Sequence, residues 1–450
     1  MKTKIYVAIL FLGISIGSFS QDEFVLTNNA KSQTLSFKLI NNLIVIPVEV
    51  NGNDLNFILD SGVDQSLLFN LNVEDSLRLQ KIKQIRIRGL GEGDFLPAVE
   101  STGNVFKLGK IINTHHKIYA ITGDDFDLSN RMGMDINGII GSELFNDFIV
   151  EINYGSKRIT FNRPADYVYK SCDNCETFDL DFYQNKPYIT GEVIDVQGRI
   201  AEVKLLLDSG GGDALWLFAQ SHDDIVIPSD NFNDFLGRGL SGNIYGKRGR
   251  ISALRLGRFI FESPIASYPD STSITSVYKQ PGRNGTLGAE ILKRFKPIID
   301  YPNKKITLKK NGRYYNNPFV YNMSGVELMH TGPLLFSERV AEVGVSQVSP
   351  VGEGVSASKG TTLQFSYVFA FKKSYQISHI REDSPADRAG LQEGDILVKI
   401  NGRSAKDMRM DEIMHILSTK NGRKINLTIQ RLNEKLTYSF KLKELFGGKG

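Results

Sequence analysis

Cysteine is almost absent from this chain: its 450 residues include only Cys172 and Cys175. The pair has C-x-x-C spacing, but no second Cys or His pair completes a tetrahedral zinc site and no βαβ surroundings support a redox motif. A local disulfide in an oxidising compartment is the simplest reading, with exposed thiols as the alternative. Histidine is scarce, at six residues. The adjacent His115 and His116 form no metal-ligand pattern, and His415 reads as a packing or solvated residue. No metal and no cofactor is therefore expected. Charge of one sign is also lacking, since 54 Lys and Arg face 50 Asp and Glu for a net +4. With no long basic run, nucleic acid and an anionic membrane surface are not expected partners. Phosphate loops are missing as well.

Long apolar runs are missing beyond the N-terminus. There, Lys2 and Lys4 precede the apolar stretch from Ile5 to Ile16, and Ser18 and Ser20 suit signal peptidase. Residues 1–20 read as an export signal, with Gln21 the mature start. The apolar stretch is short for a membrane-spanning helix, and no Cys follows it to carry a lipid. The mature chain is expected to be exported, periplasmic or secreted. Its 41% hydrophobic and 23% charged residues are ordinary for folded protein. The length allows two or three domains.

What the chain does have is a repeated phrase. Phe57-Ile58-Leu59-Asp60-Ser61-Gly62 and Leu205-Leu206-Leu207-Asp208-Ser209-Gly210 each deliver one carboxylate into a Ser-Gly turn, 148 residues apart. Leu108-Gly109-Lys110 and Leu256-Gly257-Arg258 keep that spacing. Arg88-Gly89-Leu90-Gly91 and Arg238-Gly239-Leu240-Ser241 lie 150 apart. Ile139-Ile140-Gly141 and Thr286-Leu287-Gly288 lie 147 apart, as do Tyr154 and Tyr301. Ordered matches with so little drift mark an internal duplication. Each copy reads as short strands between Gly, Asn and Asp turns, such as Leu43–Val50, Leu55–Leu59, Val203–Leu207 and Ile306–Lys309. A short helix follows the later glycine of each, at 142–147 and 289–295. Two β-rich lobes are expected, at 35–163 and 178–310, joined by a linker at 164–177.

Two carboxylates brought face to face across a pseudo-two-fold axis share a proton, because both charges together are costly. Such a pair hydrolyses a peptide bond: one member activates a water and the other donates a hydrogen bond to the scissile carbonyl. Gly in each turn allows close backbone approach. The Ser61 and Ser209 hydroxyls are placed to hydrogen-bond across the axis rather than to act as nucleophiles, since no His lies near them in sequence.

Over about residues 40–310 the chain resembles a retropepsin-like aspartic peptidase with both lobes fused in one chain. The resemblance implies two closed, barrel-like lobes in which Asp60 and Asp208 are catalytic. Ser61, Gly62, Ser209 and Gly210 then shape the catalytic turns, while Gly141 and Gly288, each after two bracing residues, support them. It also implies two glycine-rich flaps over the substrate, carrying Gly89 and Gly91 in one and Gly239 and Gly242 in the other. Thr286 departs from the pattern where a hydrophobic brace is expected. Asp64 and Asp213 follow the two turns; facing the cleft they would favour basic substrates, and facing solvent they would not.

From about Ser374 the texture changes. Tyr375 to Ile380, Ser384-Pro385-Ala386 to Leu391, and Gly394-Asp395 to Gly402 resemble a bacterial-type PDZ domain, α+β, with a helix at 409–418 and strands at 424–431 and 436–442. The domain is expected over 320–443, with an insertion at 330–373 that reads as a flexible excursion or as a hairpin. The resemblance implies binding of a peptide C-terminus or extended segment by strand addition, at a loop and strand carrying Gly325, Val326 and Leu328. Met410 and Met414 are either groove-lining or core. The fold is thus mainly β. The expected function is that of an exported aspartic endopeptidase acting on protein or peptide substrates as a monomer. A catalytically silent peptide-binding or scaffold protein of the cell envelope is the alternative.

Overall fold

Leu43–Val50 and Asn53–Leu59 form a hairpin whose alternation near the turn gives way to burial of both faces at Leu43–Ile46 and Phe57–Leu59. Its turn, Asn51-Gly52, takes φ of 49° and 90°, conformations that Asn and Gly tolerate. The computed structural model describes residues 22–70, 77–123, 128–275, 282–347 and 359–446, with backbone alone for 333–347 and 359–370. Residues 1–20, read above as an export signal, lie outside the described residues.

In the first lobe Asn53–Leu59 pairs on its other side, in parallel, with Gly138–Ile140. Pairing continues through Leu67–Leu68 and Ile111–Ile121 to Leu96–Leu108, which pairs back with Leu43–Val50, so the ladder makes a circuit. The second lobe repeats the start: Ile200–Leu207 pairs antiparallel with Lys186–Ile194 and parallel with Gly285–Leu287. Its path does not return on itself, ending at Asn231–Gly239 and Phe259–Glu262. Closure of both lobes, as first expected, is therefore not what the ladder forms. Asn231–Gly239 turns instead to the C-terminal domain, where Phe232 packs on Tyr321 and Phe446 at 5.3 and 5.2 Å between ring centroids.

A six-stranded sheet joins the lobes, in the order Cys175–Asp179, Lys305–Lys310, Phe295–Asp300, Ile149–Asn153, Arg158–Asn162, Ser32–Ser36. Three strands come from each side, and the pseudo-two-fold axis passes through the central pairing of Val150 with Ile299 and Glu151 with Ile298. The end of the segment read as a linker is thus an edge strand, preceded by a Cys172–Cys175 disulfide. Below this sheet, Tyr301 stacks on Phe145 at 5.2 Å and meets Phe182 edge-on at 4.9 Å, within one core shared by both lobes. The short helices are Ser142–Asp147 and Ala289–Leu292. The second stops early because Phe295 already opens the next strand.

The C-terminal sheet runs Val326–Gln347, Lys359–Ile380, Ile396–Ile400, Lys424–Arg431, Glu434–Lys441. Ser384 caps the helix Pro385–Arg388 by accepting from Asp387 N at 3.2 Å, and Gly390, at φ 88°, follows its end. Helix Met410–Ser418 turns Ile413 and Leu417 inward. Within segment 330–373 the described residues extend the two flanking strands as an antiparallel pair, in register from Pro333 opposite Lys373 to Gln347 opposite Lys359. Among the described residues, no helix is long and apolar enough to cross a membrane.

Candidate active site

Each aspartate stands where a buried strand ends. Asp60 N donates to Ile140 O at 2.9 Å and Asp208 N donates to Leu287 O at 3.0 Å, so the parallel neighbour fixes both turns alike. Within the turns, Gly62 N donates to Asp60 Oδ1 at 2.7 Å and Gly210 N to Asp208 Oδ1 at 2.9 Å. The serines cross over. Ser61 Oγ donates to Leu207 O at 2.8 Å and accepts from Ser209 N at 3.0 Å. Ser209 Oγ donates to Leu59 O at 2.9 Å and accepts from Ser61 N at 3.0 Å. Both serines are fully buried, so four hydrogen bonds made away from water lock the turns together.

Close approach explains the glycines. A Cβ on Gly210 would lie 2.1 Å from Asp60 Oδ2, and one on Gly62 would lie 3.1 Å from Asp208 Cγ. A Cβ on Gly141 would meet Val63 O at 2.4 Å and Asp60 O at 2.5 Å, and one on Gly288 would meet Asp213 O at 2.2 Å. These are backbone atoms of the two aspartate turns, with little freedom to yield. Tyr301, buried between the lobes, donates from its hydroxyl to Ser61 O at 3.2 Å.

Burial, and then the charge of Asp208 together with the hydrogen bond that protonated Asp60 donates to it, push the Asp60 carboxyl well above the ordinary carboxylate range. The arrangement therefore favours one proton on the pair. Of the two acidic neighbours, Asp213 is neutralised. It accepts from Arg248 Nη1 at 3.0 and 3.1 Å, from Trp216 Nε1 at 2.8 Å and from Ser267 Oγ at 2.8 Å. Asp64 accepts from Asn185 Nδ2 at 2.9 Å. Asp213 thus offers no bare charge for a basic substrate, whereas the partner of Asp64 is a neutral amide. Thr286 also has a local reason: its hydroxyl accepts from Arg283 Nη2 at 2.8 Å.

The glycine-rich segments meet over the pair. One caps the hairpin of Lys83–Ile87 and Leu96–Leu108; the other is the turn between Asn231–Gly239 and Gly242–Arg250. Ser241 N donates to Leu90 O at 2.8 Å, Gly93 N to Ser241 O at 2.6 Å, and Gly89 N to Ser241 Oγ at 3.1 Å. Gly91 and Gly242 take φ of 116° and 125°, and a Cβ on Gly91 would lie 2.6 Å from Gly242 N. Gly239 is as confined, with Leu90 O 2.3 Å from where its Cβ would be.

A cavity of about 900 Å³ runs beneath these tips. It includes Asp60 and Asp208 and continues to Asn322, Glu327, Leu328, Met414 and Ser418 of the C-terminal domain. Met414 thus lines the cavity, while Met410 is buried. The loop at the strand's start is closed on itself. Ser324 N and Gly325 N donate to Asn322 Oδ1 at 3.0 and 3.3 Å, and Val326 N donates to Ser324 Oγ at 3.1 Å. The amides that the resemblance assigns to a peptide carboxylate thus already have acceptors, whereas Val326–Gln347 is a terminal strand of its sheet.

Sequence reading missed the ionic chain between these parts. Arg381 Nη1 lies 3.3 Å from Asp234 Oδ1, Asp234 Oδ2 accepts from Arg248 Nε at 2.7 Å, and Arg248 reaches Asp213. It links the loop at Asn322, the strand Asn231–Gly239 and Asp213 after the second aspartate turn. No repeat or motif marks its members, which lie far apart in sequence. A second network ties Ser66 Oγ to His116 Nε2 at 2.9 Å and His116 Nδ1 to Asp22 at 3.2 Å. Ser66 is fully buried and also donates to Glu143, so this group braces the helix behind Asp60.

Residues 46–144 match the family model described as aspartyl protease, and residues 376–431 match that of the PDZ domain. The chain carries an aspartyl protease domain and a PDZ domain. The aspartyl protease match spans Asp60, the first glycine-rich tip and Gly141; the second lobe repeats those features by internal symmetry. Among curated proteins, a probable CtpA-like serine protease of Staphylococcus saprophyticus is 39% identical over 56 residues, 12% of this chain and 11% of that protein. Proteins of the same description from Staphylococcus aureus strains COL and N315 are 34% identical over 62 residues, 14% of this chain and 12% of theirs. The chain thus spans about a tenth of the length of these relatives.

Proposed function

We propose that this protein is an exported aspartic endopeptidase that cleaves peptide bonds with a water held between Asp60 and Asp208. The observation that carries this reading is the pair itself: two carboxyls at hydrogen-bonding distance, held by reciprocal serine bonds, one biased toward its protonated form. Asp208 accepts a proton from the water as its oxygen attacks the scissile carbonyl carbon, and Asp60 gives its proton to the carbonyl oxygen. The tetrahedral diol then collapses, the leaving nitrogen takes the proton from Asp208, and Asp60 recovers one from the diol. Water is the nucleophile, so no cofactor is needed. Both acids come from one chain, so a monomer suffices.

The touching glycine tips act as flaps that open to admit substrate and close to exclude water. The PDZ domain positions the substrate, because its groove residues share the catalytic cavity. With the loop amides taken up by Asn322, an extended segment added beside Val326–Gln347 is the favoured ligand over a free C-terminus. Export is supported by the N-terminal signal pattern.

The test is cleavage of a mixed peptide library across pH 3–8 by the native protein, Asp60→Asn and Asp208→Asn, each checked for folding. Cleavage by the native protein alone supports the reading. Folded, equally silent proteins would leave a peptide-binding scaffold in its place.

A further inference from the structure

Duplication gives each lobe a tyrosine at the same place. Tyr154 directly follows the strand Ile149–Asn153, and Tyr301 directly follows Phe295–Asp300. Both are buried, yet only one reaches an aspartate turn. Tyr301 Oη donates to Ser61 O at 3.2 Å, whereas the buried Tyr154 hydroxyl meets no hydrogen-bond partner among the described residues. The rings are seated differently as well. Tyr301 stacks on Phe145 at 5.2 Å between centroids and meets Phe182 edge-on, while Tyr154 meets Phe37 edge-on at 6.0 Å. Leu292 stands 147 residues after Phe145, so the second copy offers no ring at that position.

The Tyr301 bond reaches Asp60 through one peptide unit. Its acceptor, Ser61 O, and the amide Gly62 N belong to the same peptide group, and Gly62 N donates to Asp60 Oδ1 at 2.7 Å. A hydrogen bond accepted by a carbonyl draws charge from the conjugated amide and makes its N–H a stronger donor. In the other turn Gly210 N donates to Asp208 Oδ1 at 2.9 Å without such help from Tyr154. Burial, and then the charge of Asp60, hold the Tyr301 hydroxyl well above its ordinary pKa, so it keeps its proton and stays a donor. The other charged groups facing the pair are Lys186, which acts on both carboxyls, and Arg283, which acts on Asp208; Asp64 acts on Lys186.

We infer that Tyr301 is a positioning residue for the hydrolysis: through the Ser61–Gly62 peptide it stabilises the Asp60 carboxylate that forms as the proton passes to the scissile carbonyl oxygen, and Tyr154 takes no such part. This rests on the peptidase reading of the pair. Burial and Asp208 make Asp60 a reluctant proton donor, and the Gly62 N–H opposes them. Polarising that N–H keeps the proton transferable.

NMR titration of isotope-labelled aspartate carboxyls in the full mature chain reads the pair without turnover, with Asp60→Asn and Asp208→Asn assigning the signals. In parallel, cleavage of a library-derived peptide gives kcat, KM and the pH profile. Without the hydroxyl bond the ionised Asp60 is less well held, so it keeps its proton to higher pH. Tyr301→Phe is therefore expected to raise the upper titration of the pair, and the alkaline limb of kcat/KM, by roughly 0.3 pH unit, the share of a charge-assisted bond that one cooperative neighbour supplies. A fall in kcat of about threefold, with KM little changed, is expected beside it. Tyr154→Phe is expected to move none of these. Site-specific 3-fluorotyrosine at position 301, a stronger donor of nearly the same shape, is expected to lower the same titration, and it serves if Tyr301→Phe does not fold. Titrations unmoved by the changes at 301, or moved equally by Tyr154→Phe, overturn the inference, and cleavage by native protein then leaves the peptidase standing. A fall in kcat without a shift in either pH reading marks packing alone and overturns it too. A titration shifted by Tyr301→Phe alone, in a protein that cleaves nothing, upholds the link from Tyr301 to Asp60 and removes the peptidase.

Discussion

At the residue scale, what sets Asp60 apart is its surroundings. Its backbone N–H is tied to Ile140, its carboxylate to Gly62 N, and a second carboxyl faces it from a turn of the same build. Glu327 shows the same physics away from the catalytic pair. Burial and the nearby Asp234 push its pKa up to about 7 from 4.5, against the opposing pull of Asn322, Arg248 and Arg381. A carboxyl raised in this way favours the folded state while protonated. Its contribution is complete below the unfolded value near 4.5 and is lost as pH rises through about 7. The residue is half-buried, so the loss is put at about 1–2 kcal/mol rather than the full shift. Denaturant unfolding of Glu327→Gln and native protein at pH 5 and pH 8 checks this: the native protein is expected to lose stability relative to the variant by that amount as pH rises. A constant difference between the two would show that Glu327 is already charged in the folded state.

At the element scale, the hairpins over the cleft carry the account. Their tips touch through backbone atoms at Leu90, Gly93 and Ser241, which is possible because Gly91, Gly239 and Gly242 have no side chains. Gly91→Ala places a methyl at φ 116°, 2.6 Å from Gly242 N. Closure would be impaired, and kcat/KM is expected to fall by about tenfold or more, from backbone strain of order 1–3 kcal/mol. Gly91 is buried and Leu90 beside it packs on Phe218 and Ile274, so a lower melting temperature is expected beside the kinetic loss. Steady-state kinetics beside a thermal melt separates the two effects, and an unchanged kcat/KM would deny the hairpins a gating role. This is also the scale at which the sequence was most legible. The strands around Asp60 and Asp208 could be placed from alternation and duplication, and the helix 142–147 from its position after Gly141. Ser32–Ser36 and Cys175–Asp179 could not be recognised as edge strands of one sheet, because only packing of the two lobes gives them partners. The same holds for the 330–373 hairpin, whose composition fits an excursion equally well.

For the whole molecule, duplication puts two similar turns across one axis, and divergence makes the halves unlike where they meet other parts. Among the described residues, only the second lobe sends its tip-bearing strand to the C-terminal domain, through Asp234 to Arg381 and Phe232 to Tyr321. The Arg248 chain that results was beyond sequence reading because it depends on how separate segments face one cavity. The central claim is that Asp60 and Asp208 act as one unit. Its most direct test is turnover of one library-derived peptide by native protein, Asp60→Asn, Asp208→Asn and the double variant, all shown to be folded. The account predicts that each single change loses about as much activity as both together. A folded single variant with activity close to native would contradict it.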